Sequence, residues 1–125
     1  MFDEKCISFS VKVIQLKKKL NRDFKEYNIS DQLQRSGSAV GALYREACFA
    51  ESDLDFIHKL RIGLKECSES QYWLENLVRT DYIAKEEYEE LMRMAKDLEK
   101  ILISMVMKVK QRLDKNKQIT KGIKC

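Results

Sequence analysis

No proline occurs anywhere in these 125 residues, and glycine occurs only four times. Those two residues supply most helix breaks and tight turns, so their scarcity argues against a turn-rich β architecture and for long uninterrupted helices. The apolar residues agree. Across "FIHKLRIGLKECSESQYWLENL", residues 56 to 77, and the valine that follows, Ile57, Leu60, Leu64, Cys67, Leu74 and Val78 step by three and four along one stripe, broken only by Gln71. Phe56, Gly63, Ser70 and Leu77 form a second seam at seven-residue steps. A helix with two adjoining apolar or small seams is expected to have neighbours on two sides.

The same periodicity marks out four segments joined by short polar stretches. The first, about residues 4 to 26, carries Phe9, Val13, Leu16, Leu20 and Phe24 on one face. The second, about 30 to 50, carries Leu33, Val40, Leu43 and Ala47, with Ser30 as its expected N-cap. The third runs from about 53 to 79, and Ser52 with Asp55 has the S-x-x-D spacing of a capping box. The fourth, about 84 to 115, carries Leu91, Met94, Leu98, Ile101, Met105, Val109 and Leu113. Its acidic first turns and basic end both complement the helix dipole.

Joints this short make sequential helices antiparallel. The expected fold is all-α, an up-down-up-down antiparallel four-helix bundle over residues 1–115, followed by a basic tail over 116–125. "SGSAVGA", residues 36 to 42, places small residues inside the second helix, where glycine costs about 1 kcal/mol relative to alanine. That cost is tolerable where two backbones approach closely, and a contact within the bundle is the expected one.

At 125 residues, 44% hydrophobic and 35% charged, the chain suits one domain with one core. No apolar run approaches the roughly 20 residues of a membrane span. "MFDEKC" lacks the basic start and apolar stretch of a signal peptide, so a cytoplasmic location is expected. Cys6, Cys48, Cys67 and Cys125 contain no C-x-x-C pair, and there is a single histidine, so no metal or other cofactor is expected. Cys67 lies on the apolar stripe and reads as a reduced core residue; Cys125 reads as exposed.

Net charge is +4, but its distribution is uneven. From residue 108 onward Lys108, Lys110, Arg112, Lys115, Lys117, Lys121 and Lys124 face Asp114 alone, a net +6 that leaves −2 on residues 1 to 107. Lys17, Lys18, Lys19 and Arg22 form a smaller cluster near the end of the first helix. In the expected bundle the two clusters lie at opposite ends, so one subunit has no continuous basic groove. A solvated helix end would explain the tail without any ligand. If the tail does bind nucleic acid, it lacks aromatic residues for stacking, so contacts should be phosphate-directed and weakly sequence-specific.

Catalytic patterns are missing from the sequence. "DFIH", Asp55 to His58, has the carboxylate–histidine spacing of di-iron bundles, but such sites need two of these motifs and two further glutamates. No P-loop, G-x-G-x-x-G or G-x-S-x-G is present. Glu66 and Glu69 share one turn and are expected to pair with Lys59, Arg61 or Lys65, or to make a subunit contact. Trp73, seven residues beyond Glu66, is either a half-buried core aromatic or, with Tyr72, an anchor at a helix–helix subunit interface. A non-enzymatic role is expected.

"QLQRSGSAVGALYREA" (32 to 47), followed by "ESDLDFIHKLRIGLKECSESQYWLENL" (51 to 77), resembles the four-helix bundle proteins encoded in intervening sequences of bacterial 23S ribosomal RNA genes. The resemblance rests on Gln32-Leu33, Arg35-Ser36, Glu46-Ala47, Phe56, Lys59 and the run Gly63 to Glu66, ending in Glu69, Tyr72, Trp73 and Leu74. The chain departs from the family pattern at Leu43 to Glu46, where members commonly read Asn-Ile-Ala-Glu. It also lacks the proline that many members carry nearby.

The resemblance implies a homo-oligomer, a ring of five bundles. It also implies kinship with the accessory variability proteins of diversity-generating retroelements, which bind nucleic acid and a reverse transcriptase. A ring would gather several copies of the basic tail on one face and make a weak patch multivalent. The leading expectation is therefore a non-catalytic, oligomeric nucleic-acid-binding accessory protein, with RNA favoured by the resemblance. Lys108, Lys110, Arg112, Lys115, Lys117 and Lys121 would neutralise phosphates, helped by Lys17, Lys18, Lys19 and Arg22. The alternative is a protein-interaction adaptor using Lys59, Glu66, Glu69, Tyr72 and Trp73.

Overall fold

In the computed structural model, four helices follow one another: α1 (Phe2–Phe24), α2 (Asn28–Cys48), α3 (Asp53–Arg79) and α4 (Lys85–Lys124). The structure describes the backbone of residues 1–124 and the side chains of residues 1–117. The side chain of Lys121, and Cys125 altogether, lie outside the described residues. Among these, there are no strands and no helix long and apolar enough to cross a membrane.

Contacts between helices establish the antiparallel order. Lys17 reaches Gln34 while Asp3 meets Arg45. Ser36 meets Ser70 while Glu46 meets Lys59. Cys67 bonds the carbonyl of Ala95 while Asp53 meets Arg112. In each pair, residue numbers rise on one helix as they fall on the other. Contacts between α1 and α4 close the bundle.

That closing contact is a ladder of charge. Lys5–Asp97 (2.7 Å), Lys12–Glu90 (2.6 Å) and Lys19–Glu87 (3.6 Å) join α1 to α4, using lysines seven residues apart. Lys12 beside Glu90 lowers that carboxyl below its usual range.

The two seams of α3 face different neighbours. Ser70 Oγ lies 2.9 Å from Ser36 Oγ, both fully buried, on the α2 side. Cys67 Sγ donates to the Ala95 carbonyl at 3.2 Å on the α4 side. Gln71, which interrupts the apolar stripe, donates to Glu99 Oε2 at 2.7 Å, so the interruption is itself a contact with α4. Cys6 and Cys67 are buried and free. Burial pushes the Cys6 thiol up to about 12 and the Cys67 thiol up to about 11, so both are protonated at neutral pH.

Small residues of α2 meet α1. A Cβ added at Gly41 would come 2.9 Å from Cys6 Cβ, and one at Gly37 3.3 Å from Val13 Cγ2. At Gly63 the nearest atoms, Leu43 Cβ and Leu102 Cδ1, are 3.8 and 3.9 Å away. Two substitutions of the same kind should therefore have opposite signs. Gly63→Ala should stabilise the fold by about 0.5–1 kcal/mol through helix propensity. Gly41→Ala should destabilise it, because overpacking of about 1–3 kcal/mol outweighs the same gain. Urea denaturation of both variants checks this, and a stabilised Gly41→Ala would mean that α1 and α2 separate at little cost.

Four expectations need correction. Ser30 does not cap α2: the helix begins at Asn28, and Ser30 is fully buried in its first turn. The capping acceptor is the Glu26 carboxylate, 2.8 Å from the backbone N of both Ile29 and Ser30. Phe24, expected on the core face, is 49% exposed and packs edge-on against Tyr82. The buried line of α4 is Leu91, Ala95, Leu98, Leu102, Val106 and Val109. Met94, Ile101, Met105 and Leu113 flank it as partly buried residues. Finally, α4 continues to Lys124 rather than ending near 115, since neither proline nor glycine punctuates it before Gly122. By contrast, the expected Ser52 cap is present, with Ser52 Oγ accepting from Asp55 N at 3.0 Å.

Candidate nucleic-acid interface

Among the described side chains beyond Met107 the apolar positions of α4 thin to Val109 and Leu113, and the surface of the helix becomes basic. Lys108, Arg112 and Lys115 recur at four- and three-residue steps on one helical face. Lys110 and Lys117, seven residues apart, lie on another. All five are exposed. Arg112 is tied down by Asp53 at the start of α3, with Nη2–Oδ1 at 2.8 Å. Among the described residues, Lys108, Lys110, Lys115 and Lys117 reach no carboxylate.

The cluster on α1 is different. Lys17 contacts Asp31 (2.8 Å) and Gln34 (2.7 Å), Lys19 contacts Glu87, and Arg22 contacts Asp23 (2.8 Å). Hydrogen bonding from Arg22 holds the Asp23 carboxyl below its usual range. Only Lys18 of the four is exposed without an ion-pair partner. Three of these positive charges are thus already balanced by neighbouring carboxylates. The bundle also keeps the two clusters apart, since α1 ends where α4 begins.

The α3 residues expected at a subunit contact are engaged within the chain. Glu66 and Glu69 pair with Arg35 of α2, and not with Lys59, Arg61 or Lys65. Arg35 Nη1 is 3.1 Å from Glu66 Oε2 and Nη2 bonds Glu69. This correction has a simple cause: the antiparallel packing of α2 on α3 brings a guanidinium across the seam closer than the lysines along the helix. Lys59 meets Glu46 at 3.5 Å. Trp73 is partly buried against the core, its ring 5.1 Å from that of Tyr72, which is 58% exposed. The Trp73 indole N–H is buried without an acceptor. His58 is exposed, and among the described residues no three of His, Cys, Asp and Glu gather where they could hold a metal ion.

One further residue of this region carries no signal in the sequence. Phe49, in the short joint before α3, is 88% exposed at the bundle end where the basic stretch of α4 emerges. Its lack of helical periodicity left no signal to separate it from an ordinary loop residue.

Taken together, the fold and the surface define a small all-α four-helix bundle whose last helix ends in a basic stretch, with four lysines that meet no carboxylate among the described residues. Residues 3–104 match the family described as 23S rRNA-intervening sequence protein, and the chain belongs to that family. The chain is similar to a crystal structure of a protein with unknown function from the S23 ribosomal protein family of Bacteroides thetaiotaomicron VPI-5482. Its TM-score is 0.83 at 43% sequence identity, covering 85% of this chain and 98% of that one. No curated protein matches the chain. The family match ends at residue 104, just before the basic stretch begins.

Proposed function

We propose that this protein is a non-catalytic, oligomeric nucleic-acid-binding accessory protein that grips phosphates through the basic stretch of α4. The observation that carries the reading is the contrast in pairing between the two basic clusters. Three of the four cations on α1 are balanced within the fold, whereas Lys108, Lys110, Lys115 and Lys117 are exposed without a carboxylate partner among the described residues. Keeping four like charges on one helix end disfavours the isolated fold slightly and favours a polyanion. The family's tie to ribosomal RNA genes points to RNA, free or within a reverse-transcription complex. A homo-oligomer, with five copies as the family resemblance implies, would multiply the patch by bringing several helix ends to one ligand.

The experiment is fluorescence anisotropy with a structured RNA at two salt concentrations, paired with sedimentation equilibrium for the subunit count. Affinity should fall steeply with salt, because each neutralised phosphate releases counterions. No binding at low salt would overturn the reading.

One observation favours the second reading, an adaptor working through α3. Tyr72, edge-on to the partly buried Trp73 ring, is 58% exposed on α3, an aromatic surface that a partner subunit or protein could cover. Under that reading Trp73→Ala reduces the sedimenting mass and RNA binding is absent.

A further inference from the structure

Resting on the nucleic-acid reading, we propose that Phe49 is a stacking platform for an unpaired RNA base, with Lys108 and Lys115, on the same face of α4 as Arg112, holding the adjoining phosphates. Single-stranded nucleic acid is typically held by cations that follow the backbone and an aromatic ring that takes the base, and every base has a π-face to offer. The basic stretch of α4 has no aromatic residue of its own. Only the packing of α3 against α4 adds one.

Placement follows from a single contact. Arg112 bonds Asp53, the first residue of α3, at 2.8 Å. Phe49 precedes Asp53 by four residues, so their Cα atoms are at most about 15 Å apart. Leu54, next to Asp53, is 69% exposed and widens the apolar surface. A short strand crossing this end of the bundle could touch both the ring and the lysines.

The exposure of Phe49 belongs to an anchored turn. Its backbone N donates to the Glu46 carbonyl at 3.1 Å, and Ala50 N to that of Ala47 at 3.0 Å. On the other side, Asp55 N donates to Ser52 Oγ at 3.0 Å, and Glu51 N to Asp55 Oδ2 at 3.3 Å. Both sides of the joint are thus hydrogen-bonded, and the ring it presents is 88% exposed. Two carboxylates of the turn are also committed, Asp53 to Arg112 and Asp55 to the backbone N of Glu51, leaving Glu51 as the exposed anion there.

A duplex keeps its bases stacked on one another, so it could use the lysines but not Phe49; a hairpin loop could use both. The test compares the full chain with Phe49→Ala, Phe49→Leu and Phe49→Trp, each titrated against a hairpin RNA with an unpaired loop and against a blunt duplex of the same stem. Phe49→Ala and Phe49→Leu should weaken loop binding by about 5- to 150-fold, the range reported for loss of one base–aromatic stack. Phe49→Trp should bind as the parent does, and all four proteins should bind the duplex alike. Loop binding unaffected by Phe49→Ala would overturn the stacking role while leaving the phosphate reading intact. Equal losses on both RNAs, or a lower mass on sedimentation, would also overturn it by making Phe49 a support for the bundle or a contact between subunits. A parent chain that binds neither RNA at low salt would sink the nucleic-acid reading itself, and this inference with it.

Discussion

Replacing Lys108, Lys110, Lys115 and Lys117 with glutamine should lower RNA affinity by roughly 10²- to 10³-fold near 0.1 M salt. The figure follows from counterion release: four phosphate contacts contribute a salt exponent of about 0.7 each on a single strand. The slope of log affinity against log salt should flatten by about 3 in the same experiment. A chain ending at Met107 should lose at least as much, but it also loses the packing of Val109 and Leu113, so the glutamine variant is the cleaner measurement. Lys17→Gln with Lys19→Gln is the counterpart. Those lysines already contact Asp31, Gln34 and Glu87, so their loss should change affinity by less than about threefold. Circular dichroism melts would show whether each variant stays folded. If the α1 pair matters more than the α4 set, the site has been placed at the wrong end of the bundle.

Phe9→Ala should cost about 3–5 kcal/mol, the largest effect expected of any single core truncation in this chain. Phe9 is fully buried at the centre of the α1–α2 seam. Its ring edge fills the space above Gly37, where an added Cβ would sit 3.4 Å from Phe9 Cε2. Domains of this size are stable by only about 5–15 kcal/mol, so the variant should melt roughly 10–25 °C lower. The two positions should also be coupled. Gly37→Ala is tight in the parent against Val13 as well as Phe9, and losing the ring relieves only the Phe9 contact, so the double variant should lose slightly less than the two single losses combined. Simple additivity would mean that the Val13 contact alone sets the cost of the methyl group. A Phe9→Ala cost below about 1.5 kcal/mol would mean that the seam repacks around the hole.

Apolar periodicity was sufficient for the existence of four helices and most of the core, and the short joints between them for their antiparallel order. It reads local geometry, since residues three and four apart share a helix face in any context. The start of α3 was legible too, because Ser52 caps that helix with its own side chain, accepting from the backbone N of Asp55. Boundaries blurred where a distant or atypical residue did the work. Glu26 caps α2 from outside it, and Lys25 ends α1 at a φ of 53°, a conformation usually read from glycine.

The two basic clusters, by contrast, look alike as strings of lysine and arginine. Their difference lies in what faces them. Lys19 is neutralised by Glu87 and Glu66 by Arg35, partners 68 and 31 residues away along the chain. Phe49 gains meaning only from the Asp53–Arg112 contact, across 59 residues. Side-chain periodicity is a property of one helix, whereas charge balance and surface composition are properties of several packed together. The chain alone could therefore say that this is a bundle with a basic end; only the packed helices decide which of its charges remain free to meet a ligand.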